Sequence, residues 1–152
     1  MDQLSVALNE MLVEIFHNIL RLEELTIKRA GNLNLTINEM HLIECVGKGG
    51  EEGLTIGELA GGLKIKSPSV TVAAKKLEAK GYVRKVACED DGRVVRIQLT
   101  REGRRVNAYH SEYHRIMVKS LSRDLTEQEK TVLLGAVKKL NAYFLESIGE
   151  VI

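Results

Sequence analysis

LTIGELAGGLKIKSPSVTVAAKKLEAKGYV, residues 54–83, reads as two short helices joined by a tight turn. Thr55-x-x-Glu58 has the form of a capping box, in which a hydroxyl at the helix start and a carboxylate three residues on satisfy each other's amides. Ser67-Pro68 marks a second start, because proline is tolerated where its missing N–H has no helical partner. The two helices then span roughly 55–62 and 67–80, with Gly61-Gly62-Leu63-Lys64-Ile65-Lys66 as the connection. Ile56, Leu59 and Ala60 face inward on the first. Val70, Ala74 and Leu77 recur at i, i+4 and i+7 on the second and must pack against it. That leaves Ser67, Ser69, Thr71, Val72, Lys75 and Lys76 outward. Hydroxyls and amines suit phosphates and base edges, and an exposed valine suits a thymine methyl.

After Gly81 the period shortens. Residues 82–87 and 93–99 are β-prone, and Val95, Ile97 and Leu99 alternate with Arg96 and Gln98. Glu89-Asp90-Asp91-Gly92 between them reads as a hairpin turn. Arg93 at its tip has the reach to enter a minor groove. Two helices, a turn and a hairpin make a winged helix-turn-helix pattern.

Charge agrees with it. From Lys64 to Lys85 seven bases face one carboxylate, Glu78, a local +6 within a chain of net +1. Such a block is a footprint for polyanions, whereas an ordinary solvated helix face carries both signs.

Further helices flank the unit. Thr36-x-x-Glu39 opens one over 36–47, and Thr126-x-x-Glu129 opens the last, to about 149. A long helix follows Thr100 to about Leu121. The opening segment, Gln3 to Lys28 and closed by Gly31, is apolar on more than one stripe: Leu4, Leu8, Met11, Ile15, Ile19, Leu22 and Leu25 on one side, Val13, Phe16, Leu20 and Ile27 elsewhere. A helix apolar on two sides must be covered on two sides, by its own domain and by another chain.

The 152 residues, 44% hydrophobic and 28% charged, fit one folded domain. We expect no membrane span, no secretory signal and a cytoplasmic location. Cys45 and Cys88 fall in unlike contexts and read as reduced thiols, Cys45 in the core and Cys88 beside the turn, where a redox role is left open. No Gly-rich phosphate loop follows a strand, and the serines sit in no nucleophile pattern, so catalysis is not expected.

Residues 54–60, 77–83, Asp91-Gly92-Arg93 and Leu99-Thr100-Arg101-Glu102-Gly103 resemble the MarR family of bacterial repressors. The resemblance implies a mainly helical α+β fold over 1–152, with the winged helix-turn-helix at about 36–100. It also implies N- and C-terminal dimerisation helices at about 3–30 and 101–151. The homodimer binds duplex DNA, Asp91 orients the wing and Arg93 contacts the minor groove. Most members carry a base where Gly92 stands. Residues 15–20, Glu23-Glu24, Asn38-Glu39-Met40-His41 and His110-Ser111-Glu112-Tyr113-His114 are similar to the branch that represses fatty-acid synthesis genes. In that branch acyl groups on acyl carrier protein act as corepressor.

His110 and His114 share one helix face, a spacing that can chelate a divalent cation. Glu23 or Glu24 and His41 would complete a zinc site, as the resemblance to the zinc-sensing branch implies. The alternative is a hydrogen-bonded polar cluster holding helices together, or the lining of a ligand pocket, with no cofactor required. His17 is expected on the helix surface or seam. A reading from another class, a protein-interaction module whose basic block meets an acidic partner, predicts no preference for particular DNA sequences.

Overall fold

The computed structural model describes residues 2–29, 34–88 and 93–151. Six helices and three short strands follow the order α1 (Gln3–Arg29), α2 (Ile37–Lys48), β1 (Leu54–Thr55), α3 (Ile56–Leu63), α4 (Ser67–Ala79), β2 (Val83–Ala87), β3 (Val95–Leu99), α5 (Arg101–Leu121) and α6 (Glu127–Val151). Gly31 lies outside the described residues. The chain divides into two compact units, 1–113 and 114–152, with the boundary inside α5. Among the described residues no helix is long and apolar enough to cross a membrane.

Each predicted capping box forms. The Thr36, Thr55 and Thr126 hydroxyls accept from the amides of Glu39, Glu58 and Glu129, whose carboxylates accept in return from the threonine amides at 2.7–2.9 Å. The start of α4 differs by one position: Lys66 is the N-cap, and Ser67 and Pro68 lie inside the first turn. No side chain caps this end, so the amides of Ser69 and Val70 turn to the Lys66 carbonyl. Lys64, with φ 55°, makes the left-handed turn between α3 and α4, and the Ile65 amide bonds back to the Ala60 carbonyl.

The first unit's core forms where those helices cross. Leu42, Ile43 and Val46 of α2, Leu59 of α3, and Val70, Ala74 and Leu77 of α4 are almost wholly buried. Ile97 and Leu99 of β3, and Val106 of α5, close the layer. The sheet is antiparallel in the order β1-β3-β2, with Val83 opposite Leu99 and Ala87 opposite Val95. Strand β1 escaped the sequence reading. Two residues carry no period, and its pairing of Leu54 with Ile97 is entirely tertiary. Gly53 before it has φ 70°. A Cβ there would strike the Ile97 carbonyl, so only glycine lets the chain turn so close to β3.

The Leu99–Gly103 stretch has a structural meaning of its own. Thr100 donates its amide to the Tyr82 carbonyl and its hydroxyl to the Gly81 carbonyl, and the same hydroxyl accepts from the Gly103 amide. One threonine thus ties the end of the wing to the turn after α4 and caps α5.

Apolar side chains stay exposed on the terminal helices. On α1 they include Leu8, Met11, Ile15, Phe16 and Ile19; on α6, in the second unit, Leu133, Val137, Phe144 and Ile148. His17 lies on the α1 surface with its ring against Phe16.

Candidate nucleic-acid interface

Helix α4 buries one side completely and bares the other. Val70, Ala74 and Leu77 are 0% exposed, while Ser67, Ser69, Lys75 and Lys76 are exposed and Val72 is 55% exposed. Thr71 is half-buried and donates its hydroxyl to the Ser67 carbonyl, one turn back on the helix. A groove of about 530 Å³ runs beside this face, lined in part by Ser69, Val72, Lys76 and, from α2, Asn38 and Glu39.

The cationic block is smaller than its sequence suggests. Lys80 is held by Glu39 at 2.8 Å and Lys85 by Glu78 at 2.9 Å. Arg84 donates through Nε and Nη2 to the Gln98 side-chain oxygen. Lys64, Lys66, Lys75 and Lys76 are exposed on α4 and the turn before it and supply cations to the field a polyanion meets, while Arg84, bonded to a neutral amide, keeps its full charge beside them.

The wing is braced at its base. Arg96 donates from Nη1 to the Gly53 carbonyl at 3.1 Å and lies 3.7 Å from the Glu58 carboxylate. The Cys88 amide extends the ladder to the Val94 carbonyl. Cys88 is half-buried, and Cys45 is buried in the core as its context predicts. Arg93 is exposed at the end of the hairpin; Asp91 and Gly92 lie outside the described residues.

The candidate metal ligands sit in different surroundings. Glu23 is 6% exposed and His110 is 2% exposed, both buried. His41 Nε2 is 3.5 Å from Glu23 Oε2, the His41 and His110 rings are 6.3 Å apart, and His110 Nδ1 is 3.8 Å from Glu44 Oε2. Glu24 turns to the surface and pairs with Lys28 at 3.1 Å. His114 lies one turn beyond His110 on α5 and is the first residue of the second unit.

Sequence reasoning missed Glu39 with Lys80, and Arg96 with Gly53 and Glu58. The first pair is 41 positions apart and the second contact 43, and no local pattern marks either. Burial opposes ionisation of Glu39, but the Lys80 ammonium and the Thr36 amide and hydroxyl outweigh it and hold its carboxyl below the ordinary value of 4.5. A lowered carboxyl pKa stabilises the fold above the unfolded value, and that contribution disappears as pH falls through the folded one. Stability to urea is therefore expected to drop as pH goes below 4.5, and Glu39→Gln to flatten that drop. An unaltered pH profile in the variant would show that Glu39 carries none of it.

Three comparisons bear on this geometry. The family model described as MarR matches residues 35–95. The structure of FabT from Streptococcus pneumoniae in complex with DNA superposes with a TM-score of 0.86 at 32% identity, covering 95% of this chain and 99% of that one. A MepR–DNA complex from S. aureus superposes with a TM-score of 0.72 at 19% identity over 88% of this chain and 94% of that one, a likeness of fold. Among curated proteins, the uncharacterized HTH-type transcriptional regulator YhjH of Bacillus subtilis is 25% identical over 93 residues, 61% of this chain and about half, 52%, of its own length.

Proposed function

Since the chain belongs to the MarR family of DNA-binding transcriptional regulators, which are not enzymes, we propose that it is a homodimeric repressor of fatty-acid synthesis genes, strengthened on DNA by acyl groups on acyl carrier protein. The observation that carries the DNA-reading part is the division of α4 into a fully buried apolar side and an exposed side of Ser67, Ser69, Val72, Lys75 and Lys76, with Thr71 between. In this reading the exposed side enters the major groove, Arg93 reaches the minor groove and Asp91 orients the wing. Two copies place their α4 helices in successive major grooves about 34–36 Å apart, on a pseudo-palindrome.

Support for the second copy comes from the apolar faces of α1 and α6. Phe16 is 59% exposed and Leu134 is 56% exposed. Such side chains stand in water on the isolated chain, and a partner of the same sequence would cover them. The whole chain then works as one regulatory domain in the cytoplasm and needs no cofactor.

The corepressor rests on the resemblance in sequence to the fatty-acid branch. A ligand strengthens DNA binding only by favouring the DNA-competent form of the dimer. Long-chain acyl carrier protein added to the dimer and a duplex from a fatty-acid synthesis promoter is expected to tighten the complex. No change, or release of the DNA, would overturn this assignment.

A second reading has one observation in its favour: Glu23 and His110 are both buried, and the half-exposed His41 places Nε2 3.5 Å from Glu23 Oε2. Such an oxygen and nitrogen donor set fits zinc, and would make the chain a zinc-responsive repressor of metal-uptake genes. Bound zinc would supply a cross-link between the helices, with no chemical step. Metal analysis of the purified protein and of His110→Ala separates the readings. Stoichiometric zinc lost in the variant, with zinc-dependent DNA affinity, establishes the second; DNA binding indifferent to zinc removes it.

A further inference from the structure

We propose that Lys80 is a positioning residue for DNA recognition: paired with Glu39, it fixes the far end of α4 against the start of α2 and touches no phosphate. The inference rests on α4 being the DNA-reading helix.

The geometry is that of a strut. The Lys80 ammonium donates to both oxygens of Glu39 at 2.8 Å and to the Asn34 carbonyl at 2.7 Å. Its three donors are thereby all used. Glu39 is 8% exposed, and the Lys80 side chain is 27% exposed. Salt therefore screens this pair less than one in open water.

Apolar packing holds α4 onto α2 and α3, but it is non-directional. Val70, Ala74 and Leu77 alone would permit the helix to roll or slide by a fraction of a turn. A charge-assisted bond at the last turn removes that freedom, because it is short and oriented. Its two ends are well chosen. Lys80 is the C-cap of α4, where a cation also meets the partial negative charge of the helix end. Glu39 is already immobilised as the third residue of the α2 capping box, accepting from the Thr36 amide at 2.9 Å. One carboxylate thus serves as cap for α2 and anchor for α4. Base readout needs side chains placed within a fraction of an ångström, whereas phosphate attraction tolerates looser placement. The strut therefore acts on sequence preference more than on general affinity.

The probe is the duplex that the wild-type protein enriches most from a random-sequence pool, beside a scrambled duplex of equal composition. Binding of both is followed over a range of salt for wild type, Lys80→Met, Lys80→Arg and Glu39→Gln, with thermal melting to confirm folding. Lys80→Met is expected to lose about tenfold on the enriched duplex, stay within about twofold on the scrambled one, and keep the wild-type salt slope. Lys80→Arg, which retains the cation, should recover most of the loss.

Glu39→Gln keeps a capping-box acceptor and tests the strut even where Lys80→Met fails to fold. It should weaken the enriched duplex about threefold, although it deletes a negative charge from a protein that binds a polyanion. A salt slope in Lys80→Met shallower by about 0.9 for each lysine removed would make Lys80 a phosphate contact and overturn the proposal. Equal losses on both duplexes, or tighter binding by Glu39→Gln, would do the same. A wild-type protein that enriches no sequence would overturn the reading of α4 beneath it, and the strut with it.

Discussion

Replacing Lys75 and Lys76 together with alanine is expected to weaken binding to duplex DNA by about two to three orders of magnitude at physiological salt. Both ammonium groups are exposed on the outward side of α4. Each phosphate contact that a lysine makes releases condensed counterions, which sets the slope of log affinity against log salt at about 0.9 per contact. A dimer that lacks four such lysines should show a slope shallower by about 3.6, and the loss should fall on all sequences alike. Folding should be untouched, since alanine is the better helix former and neither side chain is buried. Titration of a labelled duplex at several salt concentrations measures both quantities. Unchanged affinity and slope would mean that another surface meets the DNA.

The second large effect is expected inside the fold. Gly103→Ala should destabilise the protein by about 3 kcal/mol and lower its melting temperature by roughly 10 °C. A Cβ at this buried position meets the Tyr82 carbonyl oxygen, and the Leu99 side chain stands at 3.3 Å. The obstacle is backbone, so it cannot swing aside as a flexible side chain would. Relief requires α5 to move off the turn after α4. That strains the Thr100 amide bond to the same Tyr82 carbonyl and the Thr100 hydroxyl bond to Gly81. Alanine's better helix propensity, worth about 1 kcal/mol against glycine, recovers only part of this. A urea midpoint showing a loss below about 1 kcal/mol would mean that the α5–wing junction is softer than its contacts imply.

These three positions mark how much of the molecule is local. Lys75 and Lys76 are legible because a helical period with Val70, Ala74 and Leu77 inward leaves them nowhere but outward. Helix starts at Thr36, Thr55 and Thr126 are legible because a capping box closes within four residues. The reason for glycine at 103 is not legible, since its obstacle, the Tyr82 carbonyl, comes near only after the wing has folded back.

The sequence by itself determined the helices, the hairpin and the outward face of α4, because hydrophobic period, caps and turn residues act between neighbours in the chain. It also determined that α1, apolar on more than one stripe, carries more apolar surface than its own unit hides. Tertiary structure alone decided which cations are paired with a carboxylate. Lys80 and Lys85 count as positive in composition, yet Glu39 and Glu78 engage them, whereas Lys64, Lys66, Lys75 and Lys76 stand exposed on α4 and the turn before it. Tertiary structure likewise decided that Glu23, not Glu24, faces the histidines. Neighbours on a helix point about 100° apart, and packing selects which one is buried. The physical reason is common to both cases. Charge is written residue by residue, but its effect depends on what the fold brings within about 4 Å.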